Sequence, residues 1–244
     1  MKQLFPPQVS DQALDDDDLL DAYPWPESGT WVRAMMVTTL DGSAVGPDGR
    51  SGSISSEDDK RVFDTVRRDA DVVLVGAETI RAERYTPMKA KPRDVARREA
   101  AGQSSAPVLA VVSASLDLPW ALPLWSESTH RPLVLTPTRS GEAVATARQH
   151  AEVVTLAEAS PHAIIDALVA RGCCRIVCEG GPSLLRTLVA GGVVDEADIT
   201  VAPLLTGNEA SSTTSMLTEP TAYRLVQVLE GAGYLMNRYL AERS

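Results

Sequence analysis

Arg175-Ile-Val-Cys-Glu-Gly-Gly-Pro-Ser-Leu-Leu185 constrains this chain more than any other stretch. Its apolar run, Ile176 to Cys178, is too short for a helix and reads as a buried strand that stops at Glu179. The chain turns through Gly180-Gly181 and restarts as a helix, with Pro182 suited to the first helical position. Two glycines let a ligand approach the backbone closely, because no Cβ intervenes. Beyond them the amides of Ser183 and Leu184 point out of the helix start, where the helix dipole favours an anion. A strand, a glycine pair and a helix N-terminus are the parts of a phosphate site, here one residue from a carboxylate. This reads as an element of a nucleotide-cofactor enzyme.

Other segments repeat the alternation. Trp31–Thr39 is β-rich and ends at the turn Leu40-Asp41-Gly42, followed by a Gly/Ser-rich loop over 46–56. Ser56 is placed to cap a helix running to about Arg68, with acids in its first turn and Arg67 and Arg68 in its last. Ala70–Gly76 reads as a strand, apolar from Val72 onward, with a short helix after it to about Arg84. The segment 85–106 has no period and reads as a mobile loop with a short helix near 93–101. Strands are expected at 108–112, 133–135 and 153–156, and helices near 140–150 and 161–171. Glu196–Ala202, Tyr223–Glu230 and Tyr234–Ala241 then read as strands, the last two joined as a hairpin through Gly231-Ala232-Gly233. The pattern predicts an α/β fold: a mainly parallel central sheet flanked by helices, with an antiparallel C-terminal edge hairpin.

The bulk properties exclude several classes. The 244 residues suffice for a sizeable core, and no apolar run reaches membrane-spanning length. The N-terminus lacks the order of a signal peptide, so a cytoplasmic location is expected. A net charge of −10 argues against nonspecific binding to nucleic acid or anionic membranes. Residues 1–28 hold seven acids against one base, Lys2, a net of −6. They read as an acidic arm, solubilising or embracing the chain, ahead of a single domain over 29–244. Cys173, Cys174 and Cys178 have no histidine close in sequence to complete a zinc site, so they read as buried thiols and no metal is expected.

Three strand ends share one grammar: Thr39-Leu40-Asp41-Gly42, Val75-Gly76-Ala77-Glu78-Thr79 and Cys178-Glu179-Gly180-Gly181. Ligands of open α/β sheets sit at the carboxyl ends of strands. Taken singly, each has an ordinary role. Asp41-Gly42 is a turn, Arg67 a helix-end charge, Thr79 a helix residue, and Gly-Gly-Pro loop punctuation. Glu179 is harder to explain so, because a carboxylate closing a buried strand needs a partner.

The ordered set TLDG, an Arg ending a helix, DVVLVGAETI, EGGPSLL and DEADITVAPLLTG resembles the pyrimidine reductases of riboflavin biosynthesis. That family comprises the reductase domains of bifunctional deaminase–reductases and their stand-alone relatives. The resemblance spans about 30–240; it implies a dihydrofolate reductase-like fold, a homodimer, and NADPH as hydride donor to C1′ of a ribosylamino group. By position, Ser53, Thr79, Glu83 and Ser113 would line the cofactor, and Gly180, Gly181, Pro182, Ser183 and Leu184, continuing toward Thr187, would cradle its diphosphate. Asp41 and Glu179 would be the catalytic carboxylates. Ser51, Arg67 toward the sugar phosphate and Glu179 toward the pyrimidine ring would bind substrate. By analogy with dihydrofolate reductase, the Gly180–Gly181 peptide is expected to be cis.

The chain departs from the family pattern in two places. Met35 stands where many members have a lysine, and 82–88 reads Ala-Glu-Arg-Tyr-Thr-Pro-Met, with Glu83 in place of an aspartate. No arginine matches the family's later phosphate-binding one, leaving Lys89, Lys91 or Arg93 as substitutes. A phosphorylated pyrimidine is thus the first substrate expectation and a pterin such as dihydrofolate the alternative. A non-catalytic NADPH-binding protein is the second alternative.

Overall fold

A computed structural model describes residues 1–7, 13–83, 85–137, 140–207 and 220–242. The chain forms two compact units, Met1–Val66 with Val194–Ser244, and Arg67–Val193.

The first unit begins with β1 (Lys2–Phe5), α1 (Asp16–Ala22), β2 (Trp31–Thr39) and α2 (Glu57–Arg68), whose last two residues belong to the second unit. The second unit continues with β3 (Val72–Gly76), α3 (Ala77–Ala82), α4 (Pro92–Ala100), β4 (Val108–Val112), α5 (Leu124–Glu127), β5 (Leu133–Thr136), α6 (Glu142–His150), β6 (Glu152–Thr155), α7 (Pro161–Val169), β7 (Arg175–Cys178) and α8 (Pro182–Ala190). The chain then returns to the first unit as β8 (Glu196–Ala202), β9 (Tyr223–Gly231) and β10 (Tyr234–Ala241).

In the second unit the strands run β7-β3-β4-β5-β6, all parallel. Val72 to Val75 are fully buried, as a strand covered on both faces requires. In the first unit the order is β1-β9-β10-β8-β2, with only the β8–β2 pair parallel. The expected hairpin closes through Ala232 and Gly233, both at positive φ, as a two-residue turn of this kind needs. The architecture is the expected one, mainly parallel with an antiparallel edge. Among the described residues, no helix is long and apolar enough to cross a membrane.

Residues 1–28, read as an acidic arm, supply β1 and α1. Asp15 caps α1, and Asp18 returns the bond to the Asp15 amide. Leu19 is buried, and Asp16 pairs with Arg61 of α2 at 2.8 Å.

The fully buried Arg33 explains much of the first unit. Its guanidinium donates to the Pro24 carbonyl and to Glu196 Oε2 (3.1 Å), the residue opposite it on β8, and lies 4.3 Å from the Trp25 ring centre. Glu196 also accepts from Trp31 (2.7 Å) and Arg238 (2.5 Å). Burial raises the Glu196 carboxyl, but Arg33, Arg238 and Trp31 outweigh it and hold the group below its ordinary value. Asp198, buried beside it, is pushed well up by desolvation and by the Glu196 charge. The Asp-Glu-Ala-Asp run at 195–198 is therefore the ionic core of this unit.

The segment 85–106, expected as a mobile loop, is tied down at several points. Met88 exchanges backbone and side-chain bonds with Ser128 and Thr129, and α4 occupies 92–100. Arg98 is buried, its guanidinium donating to the carbonyls of Arg68, Ala70 and Ser104. Aperiodic charge here reflects buried polar anchoring rather than solvation. Arg84, the expected end of α3, lies outside the described residues.

Candidate functional site

In the second unit the ends of β7 and β3 are stitched together. The Glu179 amide donates to Leu74 O (3.0 Å) and the Gly76 amide to Gly180 O (2.7 Å). Gly180 has φ +91°, which a side chain would disfavour, and the Gly180–Gly181 peptide is cis, as expected. Gly181 is the N-cap of α8 and offers no side chain to the amides of its first turn. A Cβ at Gly181 would stand 2.8 Å from Thr79 Oγ1, and one at Gly76 would stand 3.6 to 3.7 Å from Gly181 N, Gly180 O and Leu184 Cβ. A Cβ at Gly181 would therefore force Thr79 to shift, whereas one at Gly76 would make only ordinary contacts. Thr79, Gly180, Gly181 and Leu184 come together here, with the exposed Ser183 and half-buried Pro182 at the start of α8. This cradle suits a diphosphate: backbone amides, a helix start and no Cβ in the way.

Glu179 has 2% of its side chain exposed and takes a two-pronged bond from Arg67, Nε to Oε1 at 2.5 Å and Nη2 to Oε2 at 2.6 Å. The phenol of Tyr85 donates to Oε2 at 2.8 Å. Arg67 and Glu179, assigned separately to phosphate and ring by sequence, thus pair with each other. Tyr85 was missed, since a lone tyrosine in an aperiodic charged stretch carries no local signal. Burial, then the Glu179 charge, raises the Tyr85 hydroxyl well above 10, so it remains a donor. Burial pushes the Cys178 thiol up to about 12, so it is neutral and no nucleophile at neutral pH.

Two further residues of this unit are assigned to the cofactor by the resemblance, Ser113 and Glu83. Ser113, buried just past the end of β4, accepts the Leu116 amide on its hydroxyl (3.0 Å). Glu83 ends α3, half-buried, its amide bonded to Thr79 O at 2.8 Å.

In the first unit, Asp41 holds the loop after β8. Its carboxylate accepts from the Thr39 hydroxyl and from the amides of Thr206 (2.9 Å) and Gly207 (2.8 Å). These bonds, Thr39 first, hold Asp41 below its ordinary value. Leu40 N donates to Leu204 O at 2.9 Å, so the Leu-Asp-Gly turn and the Pro-Leu-Leu-Thr-Gly loop form one structure. Ser51 and Ser53 lie in a single helical turn, where Ser53 Oγ donates to Asp48 at 2.6 Å. Met35 is 2% exposed and sits opposite Asp198. The position of the family's lysine is an apolar core position in this chain.

Fold and strand ends together define an α/β protein with a glycine-lined cradle and a clamped carboxylate at the carboxyl ends of parallel strands. The chain belongs to the RibD C-terminal domain family, whose profile matches residues 30–232. It is 29% identical to a 2,5-diamino-6-ribosylamino-4(3H)-pyrimidinone 5′-phosphate reductase of Methanothermobacter thermautotrophicus, over 75% of this chain and 82% of that one. A crystal structure of a pyrimidine reductase-like protein from Corynebacterium diphtheriae superposes with a TM-score of 0.81 at 28% identity, covering 94% of this chain and 99% of the other. The fold also matches a deaminase/5-amino-6-(5-phosphoribosylamino)uracil reductase of Thermotoga maritima, with a TM-score of 0.69 at 18% identity, over 88% of this chain and 57% of that one. The shared fold is dihydrofolate reductase-like, as the sequence resemblance implied.

Proposed function

We propose that this chain is a reductase of riboflavin biosynthesis that acts on a phosphorylated ribosylaminopyrimidine, with NADPH as the particular nicotinamide cofactor. Family membership implies a nicotinamide cofactor in general. The observation that carries the reading is the pairing of two features on adjacent strands: a cradle closed to a Cβ at Gly181, and Glu179 clamped one residue before it.

When bound, the nicotinamide cofactor would supply hydride to C1′ of the open-chain (imine) ribosylamino group, with a proton completing the ribitylamine. Thr79, Gly180, Gly181, Pro182, Ser183 and Leu184 are the residues that would hold its diphosphate, with Ser53, Glu83 and Ser113 assigned to its remainder. Glu179 orients the pyrimidine, and Asp41 shapes the substrate side with Ser51. A carboxylate has roughly four acceptor positions, and Arg67 and Tyr85 take three on Glu179. Among the described residues no donor takes the fourth, on Oε1. The reaction asks mainly for orientation and exclusion of water, not for a nucleophile.

Oxidation of NADPH with the phosphoribosylaminouracil, its 2-amino counterpart and dihydrofolate tests the reading directly. Turnover of the uracil compound is expected, and turnover of dihydrofolate alone overturns the assignment. Arg67→Ala is expected to raise KM more for the phosphorylated substrate than for its dephosphorylated form. Equal effects confine Arg67 to holding Glu179. The homodimer belongs to the same proposal and is checked by sedimentation.

A further inference from the structure

We infer that Tyr85 is a positioning residue of this reductase, fixing through its hydroxyl which acceptor position of Glu179 is presented to the substrate. The inference rests on the reading of Glu179 as a substrate-facing group. Its ground is geometric. Arg67 alone fixes the plane of the carboxylate, but its fork leaves both outer acceptor positions open, one on each oxygen. The Tyr85 phenol occupies the one on Oε2. What remains is a single position with a single direction.

The ring itself is anchored: Tyr85 packs against the apolar core of the second unit, a cluster that includes Ile80, Met88 and Leu116. Among the described residues, the charged and titratable groups around Glu179 are Arg67 from α2, Tyr85 from the α3–α4 connection, and Cys178 preceding it on β7. Only the phenol both donates to the carboxylate and can be altered without changing a charge. Removal of its hydroxyl leaves two outer positions open, so substrate binds in two registers, of which one is productive. The consequence is a fall in kcat with a matching fall in KM, leaving kcat/KM unchanged.

The test is Tyr85→Phe and Glu179→Gln, singly and together, in the full-length protein. Tyr85→Phe should bind NADPH within about twofold of the parent and lower kcat and KM for the pyrimidine by the same factor, about twofold or more, with kcat/KM nearly unchanged. In the Glu179→Gln background, Tyr85→Phe should cost nothing further, because its effect passes through the carboxylate. Unchanged kcat in Tyr85→Phe, or a full additional loss in the double variant, overturns the inference while the reading of Glu179 stands. Unchanged kcat/KM in Glu179→Gln overturns that reading and the inference with it.

A second measurement needs no turnover. With tyrosine labelled at Cζ, the Tyr85 carbon resonance, assigned by its loss in Tyr85→Phe, should move in Glu179→Gln. A resonance that stays in place shows that the phenol does not donate to this carboxylate, and the inference fails.

Discussion

At Gly181 a missing carbon is a functional specification. The residue has φ −73°, open to any amino acid, so its need for glycine is steric and arises from Thr79 Oγ1. Gly181→Ala forces Thr79 aside at a cost of about 1–3 kcal/mol and is expected to weaken NADPH binding about tenfold. Urea unfolding and cofactor fluorescence measure the two effects, and Thr79→Ala in the same chain should restore stability without restoring affinity. Equal affinity in Gly181→Ala and the parent would show that the cradle is looser than its contacts indicate. Gly180 is glycine for a different reason, its positive φ. A Gly-Gly pair thus reads as one motif in sequence yet answers two separate physical demands.

At the level of elements, Asp41 joins the end of β2 to the loop after β8 through three donors. A carboxylate whose folded value lies below its ordinary 3.8 stabilises the fold fully above that value. The stabilisation is lost as pH falls through the lower folded value. Asp41→Asn does not titrate, so the gap in melting temperature between parent and variant should be full near about pH 7 and shrink below about pH 4. A constant gap across that range would mean that the bonds, not the charge, carry the effect. The elements themselves were largely legible. Val108–Val112 appears as expected, and the Asp59 amide bonds to Ser56 Oγ at 3.1 Å, as its capping role requires. β1, α1 and α5 were not expected: four-residue segments carry too little period, and the run of aspartates over 15–18 reads as solvated charge until its capping bonds are seen.

Over the whole molecule, the proposed cofactor residues concentrate in the second unit, and this sets where binding should be felt. Saturating NADPH at a hundredfold excess over Kd is expected to stabilise the protein by about 2.7 kcal/mol. Amide exchange should slow over 76–83 and 179–187 more than over β9 and β10. Uniform slowing, or none, would count against the cradle. The sequence by itself determined the alternation of strands and helices, the C-terminal hairpin, the glycine turn and the family, because each is written in neighbouring residues. Only the tertiary structure decided that Arg67 grips Glu179, that Tyr85 completes the clamp, that Arg33 pairs with Glu196 and that Met35 is core. Those contacts join residues far apart in the chain, the Arg67–Glu179 pair being 112 positions apart. No local period or turn signal encodes which distant side chain will neutralise a buried charge; that depends on which strands lie side by side.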